Sequence, residues 1–127
     1  MIDIDPPSGA LGPTVVIEGV TIQNANATPN LGGGLQIHNG NVSLIDAQIL
    51  QNLSGSGGGL ANINGTVTLT DTMISENESQ TFGGGVFNSS GNLYVNGSTI
   101  NMNTTASQRG GGILNSTGMV TITDSKV

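Results

Sequence analysis

Gly-Gly-Gly occurs four times, at Gly32–Gly34, Gly57–Gly59, Gly83–Gly85 and Gly110–Gly112, with spacings of 25, 26 and 27 residues. Self-similarity at such a period marks stacked units, each too small to bury its own apolar face. After each triplet the chain agrees with itself position by position. An aliphatic residue follows (Leu35, Leu60, Val86, Ile113), and a Gly comes five places later (Gly40, Gly65, Gly91, Gly118). An alternating pair is next: Val42 and Leu44, Val67 and Leu69, Leu93 and Val95, Val120 and Ile122. Five residues beyond sits another aliphatic (Ile49, Ile74, Ile100, Val127), and three residues further an Asn (Asn52, Asn77, Asn103).

Within each repeat, apolar residues alternate with polar ones, as in Val67-Thr68-Leu69-Thr70. Alternation sends one set inward and the other outward, which is the pattern of a half-buried strand. The runs are short and bounded by Gly, Asn and Asp, residues that turn the chain and oppose helix. The period, the alternation and the corners together predict an all-β fold: a right-handed, single-stranded parallel β-helix (a solenoid). It should have about five coils of 25–27 residues with three short strands per coil. Residues 15–127 carry the repeat. Residues 1–14 match it only in part, as an atypical first coil or partial N-terminal cap.

The repeated polar positions have structural readings. The Gly33, Gly58, Gly84 and Gly111 column marks a corner where backbones approach closely. Asn62, Asn88 and Asn115 fall in one column with Ile37, and Asn52, Asn77 and Asn103 in another. Stacked Asn amides form hydrogen-bonded ladders along a cross-β axis. The column of Gly19, Asp46, Asp71, Gly97 and Asp124 mixes Asp with Gly, as tight turns do.

The pattern Gly-Gly-Gly-aliphatic-x-Asn, then Gly-x-Val-x-Leu-x-Asp, then Ile-x-x-Asn is clearest over Gly57–Asn77. It resembles the right-handed β-helix repeats of polymorphic outer-membrane proteins, autotransporter-type adhesins and large bacterial surface proteins. The resemblance spans residues 15–127. It implies a structural or adhesive module at the cell surface or outside the cell. The wider fold also holds pectate lyases and other polysaccharide enzymes, so a polysaccharide-binding or polysaccharide-degrading β-helix is the alternative. An ice-binding solenoid comes third, because Thr66, Thr68, Thr70, Thr121 and Thr123 do not make regular ranks.

Composition narrows the choice. The chain has 127 residues, a net charge of −6 and two cations, Arg109 and Lys126. Nucleic-acid binding needs clustered Lys and Arg, so it is set aside. No run approaches the about 20 apolar residues of a membrane span, and no signal peptide is visible in residues 1–20. No cofactor or metal is expected. Cys is absent, His38 is the sole histidine and reads as an exposed corner residue, and Asp46 and Asp71 read as turn residues. Glu76 and Glu78 share one exposed edge and do not flank a groove, so no catalytic constellation emerges. The nine Asn-x-Ser/Thr sequons follow from the abundance of Asn, Ser and Thr.

Two binding surfaces remain. The segment before each Gly triplet varies in length: Leu53–Ser56, then Glu78–Phe82, then 104–109. Length variation in a repeat protein maps to loops, often on the binding face. Phe82, Gln108 and Arg109 are the candidate contact residues there, for a carbohydrate or host-surface ligand. The second surface is the pair of solenoid ends. Val127 occupies the last aliphatic column with nothing visible beyond it, which predicts exposed strand edges that self-associate end to end.

Overall fold

In the computed structural model, residues 1–7, 10, 12–107 and 109–127 are described. They form fifteen strands. In chain order these are β1 (Ile2–Ile4), β2 (Thr14–Glu18), β3 (Thr21–Gln23), β4 (Leu35–His38), β5 (Asn41–Ile45), β6 (Gln48–Leu50), β7 (Leu53–Ser56) and β8 (Leu60–Ile63). They continue as β9 (Thr66–Thr70), β10 (Met73–Ser75), β11 (Glu78–Phe82), β12 (Val86–Asn96), β13 (Thr99–Asn101), β14 (Thr104–Thr105) and β15 (Ile113–Thr123). Every pairing between these strands is parallel. The strands stack in three sheets, one of order β1-β4-β8-β12-β9-β5-β2 with β15 on β12, one β13-β10-β6-β3 and one β14-β11-β7. The result is a parallel β-solenoid.

One expectation needs correction: the solenoid makes about four turns, not five, and two of its sheets hold four and three strands. The three expected strand positions are the three sheets, although the first position is divided in one coil, as β8 and β9, and continuous in the next, where β12 pairs with both. One of the three sheets lies where a variable loop was expected. Leu53–Ser56, Glu78–Phe82 and Thr104–Thr105 are β7, β11 and β14, with β11 paired to both of the others. The added residue in β11 is absorbed by a bulge between Ser79 and Phe82, after which Phe82 again lies opposite Ser56. A bulge takes up one unpaired residue without losing the register beyond it.

Register is column by column. Val42, Val67 and Leu93 lie opposite each other, as do Leu44, Leu69 and Val95, and Ile49, Ile74 and Ile100. These residues, with Leu35, Leu60 and Val86, form an aliphatic core with 0–2% exposure. Neither Phe nor the Tyr belongs to it.

The corners are equally regular. All described positive-φ residues but Gly118 fall in four columns: Gly19, Asp46, Asp71, Gly97 and Asp124; Asn24, Gln51, Glu76 and Met102; Asn39, Asn64 and Ser90; and Gly32, Gly57, Gly83 and Gly110. Three of the columns accept side chains, since Asn and Asp tolerate the left-handed conformation best and a few others enter it when the surroundings hold them there. The fourth is glycine throughout for a second reason. A Cβ on Gly57 would strike the Leu60 carbonyl, and one on Gly58 the carbonyls of Gly84 and Glu78. On Gly59 it would come within 2.9 Å of Ile74 Cγ2 and 3.0 Å of Asn77 Nδ2, crowding the core. The triplet is therefore one positive-φ turn, one close approach between coils and one vacancy for the interior columns.

Leu69 is fully buried between Leu44 and Val95. Leu69→Ala should destabilise the fold by about 2–5 kcal/mol through the cavity it leaves, measured as a lower urea midpoint at unchanged slope.

Candidate functional site

Asn side chains of the interior join coils, while the buried Ser54 Oγ bonds within its own coil and Ser75 Oγ and Ser79 Oγ have no partner among the described residues. Asn52 Nδ2 donates to Asn77 Oδ1 at 3.0 Å, and Asn77 Nδ2 to Asn103 Oδ1 at 3.0 Å. Each acceptor oxygen also receives the backbone N–H of the preceding coil's Asn, at 2.9 Å. The second hydrogen of each amide goes back a coil, to the carbonyls of Ile22, Ile49 and Ile74. In the other Asn column, Asn62 donates to Asn88 and Asn88 to Asn115, both at 2.7 Å. Ile37 stands one coil before Asn62, so Asn62 Oδ1 is buried without a partner among the described residues.

A third row of this kind escaped the sequence reading. Thr72 N–H donates to Ser98 Oγ and Ser98 N–H to Ser125 Oγ, each at 3.0 Å. The only signal for it is a small or hydroxyl residue directly after the corner column, in Ala47, Thr72, Ser98 and Ser125.

Charge lies outside. All eight carboxylate residues are exposed, as are Arg109 and Lys126. Asp46 and Asp71 occupy the same left-handed corner as Gly19 and Gly97, with φ of 49° and 48° against 63° and 55°. Glu76 accepts a hydrogen bond from Gln51 Nε2 at 2.9 Å. His38 is half-buried, not exposed, with its Nε2 2.9 Å from Gln36 Nε2. No three His, Cys, Asp or Glu side chains gather among the described residues.

Two surfaces carry exposed features. At the Gly corner, Phe82 stacks on Phe87 with ring centroids 5.8 Å apart and planes at 25°, and the Arg109 guanidinium lies 5.8 Å from the Phe82 centroid. Both Phe residues of the chain and its only Arg thus meet on one outer edge. Phe87 joins this group from β12 and was missed, because it reads as one more outward residue of an alternating strand. Gln108 lies outside the described residues.

The other surface is the C-terminal face, a hollow lined by Ile100, Asn103, Ile113, Asn115, Val120 and Val127 among others. Its core columns are open: Ile122 is 48% and Val127 59% exposed, where Val95 and Ile100 one coil earlier are 0% and 1%.

Replacing Asn77 by Ala removes its bonds to Ile49 and Asn103 and strands the Asn52 N–H in the interior. A loss of about 3 kcal/mol or more is expected, against less than about 0.5 kcal/mol for Asn41→Ala, whose exposed side chain makes no hydrogen bond among the described residues. Thermal melts of the two variants check this. No family model, curated protein or solved structure matches this chain.

Proposed function

We propose that this chain is a non-catalytic structural module, a stiff segment of an extracellular or cell-surface scaffold that is extended by further parallel coils at its C-terminal face. The supporting observation is that face itself. It presents the edge of β15 together with the aliphatic columns Ile113, Val120, Ile122 and Val127, in register for one more coil. An open edge of unpaired backbone groups beside an apolar strip is a template for strand addition. The extracellular placement rests on the likeness of the repeat to those of bacterial surface proteins.

A second reading has its own observation. The Phe82–Phe87 stack beneath Arg109 offers aromatic area and a cation on one edge, a combination suited to a carboxylated polysaccharide, whose sugar faces pack on aromatic rings while the cation pairs with the carboxylate.

Appending a second copy of residues 101–127 after Val127 continues the column pattern by one coil. The extended chain should melt several degrees higher in a single transition. An unchanged melting temperature with a disordered extension would sink the scaffold reading. For the second reading, Phe82→Ala should abolish the retardation of the protein in gels containing pectate; equal mobility of variant and wild type in those gels would dismiss it.

A further inference from the structure

Asn is followed by Gly at three places, Asn39-Gly40, Asn64-Gly65 and Asn96-Gly97. This dipeptide carries its own chemistry. The backbone nitrogen of the Gly attacks the side-chain Cγ of the Asn, and no Cβ on the Gly hinders the approach. The N–H proton goes to solvent base, a new C–N bond closes a succinimide ring, and the old Cγ–N bond breaks as ammonia leaves. Water then opens the ring at one carbonyl or the other, and the position becomes Asp or isoaspartate. The net change is a hydrolysis and needs no oxidant or cofactor. It requires that the peptide between the two residues be free to turn and that the Asn amide be unbound.

The solenoid treats the three dipeptides differently. Asn39 and Asn64 stand in one corner column, with φ of 54° and 59°, and both are exposed. Among the described residues neither side chain makes a hydrogen bond, and the Asn39–Gly40 and Asn64–Gly65 peptides make none through carbonyl or N–H. Only the flanks are held, by Asn64 N–H on the Ser89 carbonyl and Thr66 N–H on the Gly40 carbonyl, both at 2.9 Å. Asn96 instead ends β12, and its peptide with Gly97 is bonded on both sides. Gly97 N–H donates to the Thr123 carbonyl at 3.1 Å. The Asn96 carbonyl accepts from Asp71 N–H at 3.1 Å and from Ser98 Oγ at 2.8 Å.

We infer that Asn39 and Asn64 are sites of spontaneous deamidation in the folded protein, and that Asn96 is protected. The product at Asn64 reaches the interior. The Gly65 carbonyl, one residue on, accepts both Asn92 N–H at 2.9 Å and Asn62 Nδ2 at 3.1 Å. An isoaspartate routes the main chain through Cβ, lengthens the corner and moves that carbonyl away from its two donors. Each conversion also adds a negative charge to a chain already at −6. A surface reaction at one corner thereby loosens a buried Asn row. The inference is independent of the strand-extension reading.

The test incubates the full chain in mildly alkaline buffer, with and without urea, and samples it over time. Cleavage on the amino side of Asp46, Asp71 and Asp124 places Asn39, Asn64 and Asn96 in separate peptides, and fragment mass spectra read the mass gain at each site. In the folded protein Asn39 and Asn64 should convert at least about tenfold faster than Asn96, since turning the Asn96–Gly97 peptide first breaks its cross-coil bonds. In urea the rates should converge. Equal rates in the folded protein, or conversion confined to the urea samples, overturn the inference. A second readout uses the Asn39→Ser, Asn64→Ser variant, which keeps a residue type the corner column already holds at Ser90, where φ is 61°. Aged wild type should melt a few degrees below fresh protein, while the aged variant should not. Equal losses in both would overturn the link to the Asn62 row.

Discussion

The nearest neighbour of almost every residue in this protein is its counterpart one coil away. Parallel strands repeat about every 4.8 Å, so whatever occupies a column must tolerate itself at that distance. Aliphatic side chains do so by packing, and amides do so by bonding head to tail. Carboxylates do so poorly, and where Asp46 and Asp71 follow each other in adjacent coils at the first corner both side chains lie in water. The Gly triplets obey the same rule in its strictest form. At Gly58 the next coil's backbone occupies the place of a side chain, so coil spacing and glycine identity are one constraint.

Legibility followed from this rule. Columns that keep one residue type were readable: the triplets, the Ile49–Ile74–Ile100 column, and both Asn columns. They place the core and the solenoid architecture without further help. The mixed Gly and Asp corner column was readable too, but columns with hydroxyls inside were not. β7 and β11 were read as loops because their inward residues are Ser54 and Ser79, both fully buried, and a strand with hydroxyls inside shows no apolar alternation. The Thr72–Ser98–Ser125 row was hidden for the same reason, since Ser and Thr read as solvent-facing in a chain so rich in them. Of the candidate contact residues, Phe82 and Arg109 do meet, but their partner Phe87 comes from the next strand, across a glycine corner whose geometry sequence distance does not describe.

The side chains that usually carry chemistry are divided here between two structural uses. The buried Asn amides and the Thr72–Ser98–Ser125 hydroxyls are spent on joining coils. Carboxylates and cations are outside, at corners and edges. What joins one coil to the next is therefore geometric: aliphatic columns in register and a fixed direction of hydrogen bonding.

The unequal rows also bear on mechanics. Among the described residues, the first coil is held to the second without a single amide or hydroxyl bond from one side chain to another, because Ala25, Val20 and Ile4 sit at the heads of the rows. The middle coils carry Asn52–Asn77 and Asn62–Asn88 bonds in addition to their backbone ladders. A pull on the chain would thus part the first coil from the second more readily than the middle coils from one another, in steps of one coil. Each step would release 25–27 residues, or about 90 Å of extended chain. Such a molecule yields to tension gradually, shedding length in coil-sized increments while the remaining coils keep their stiffness.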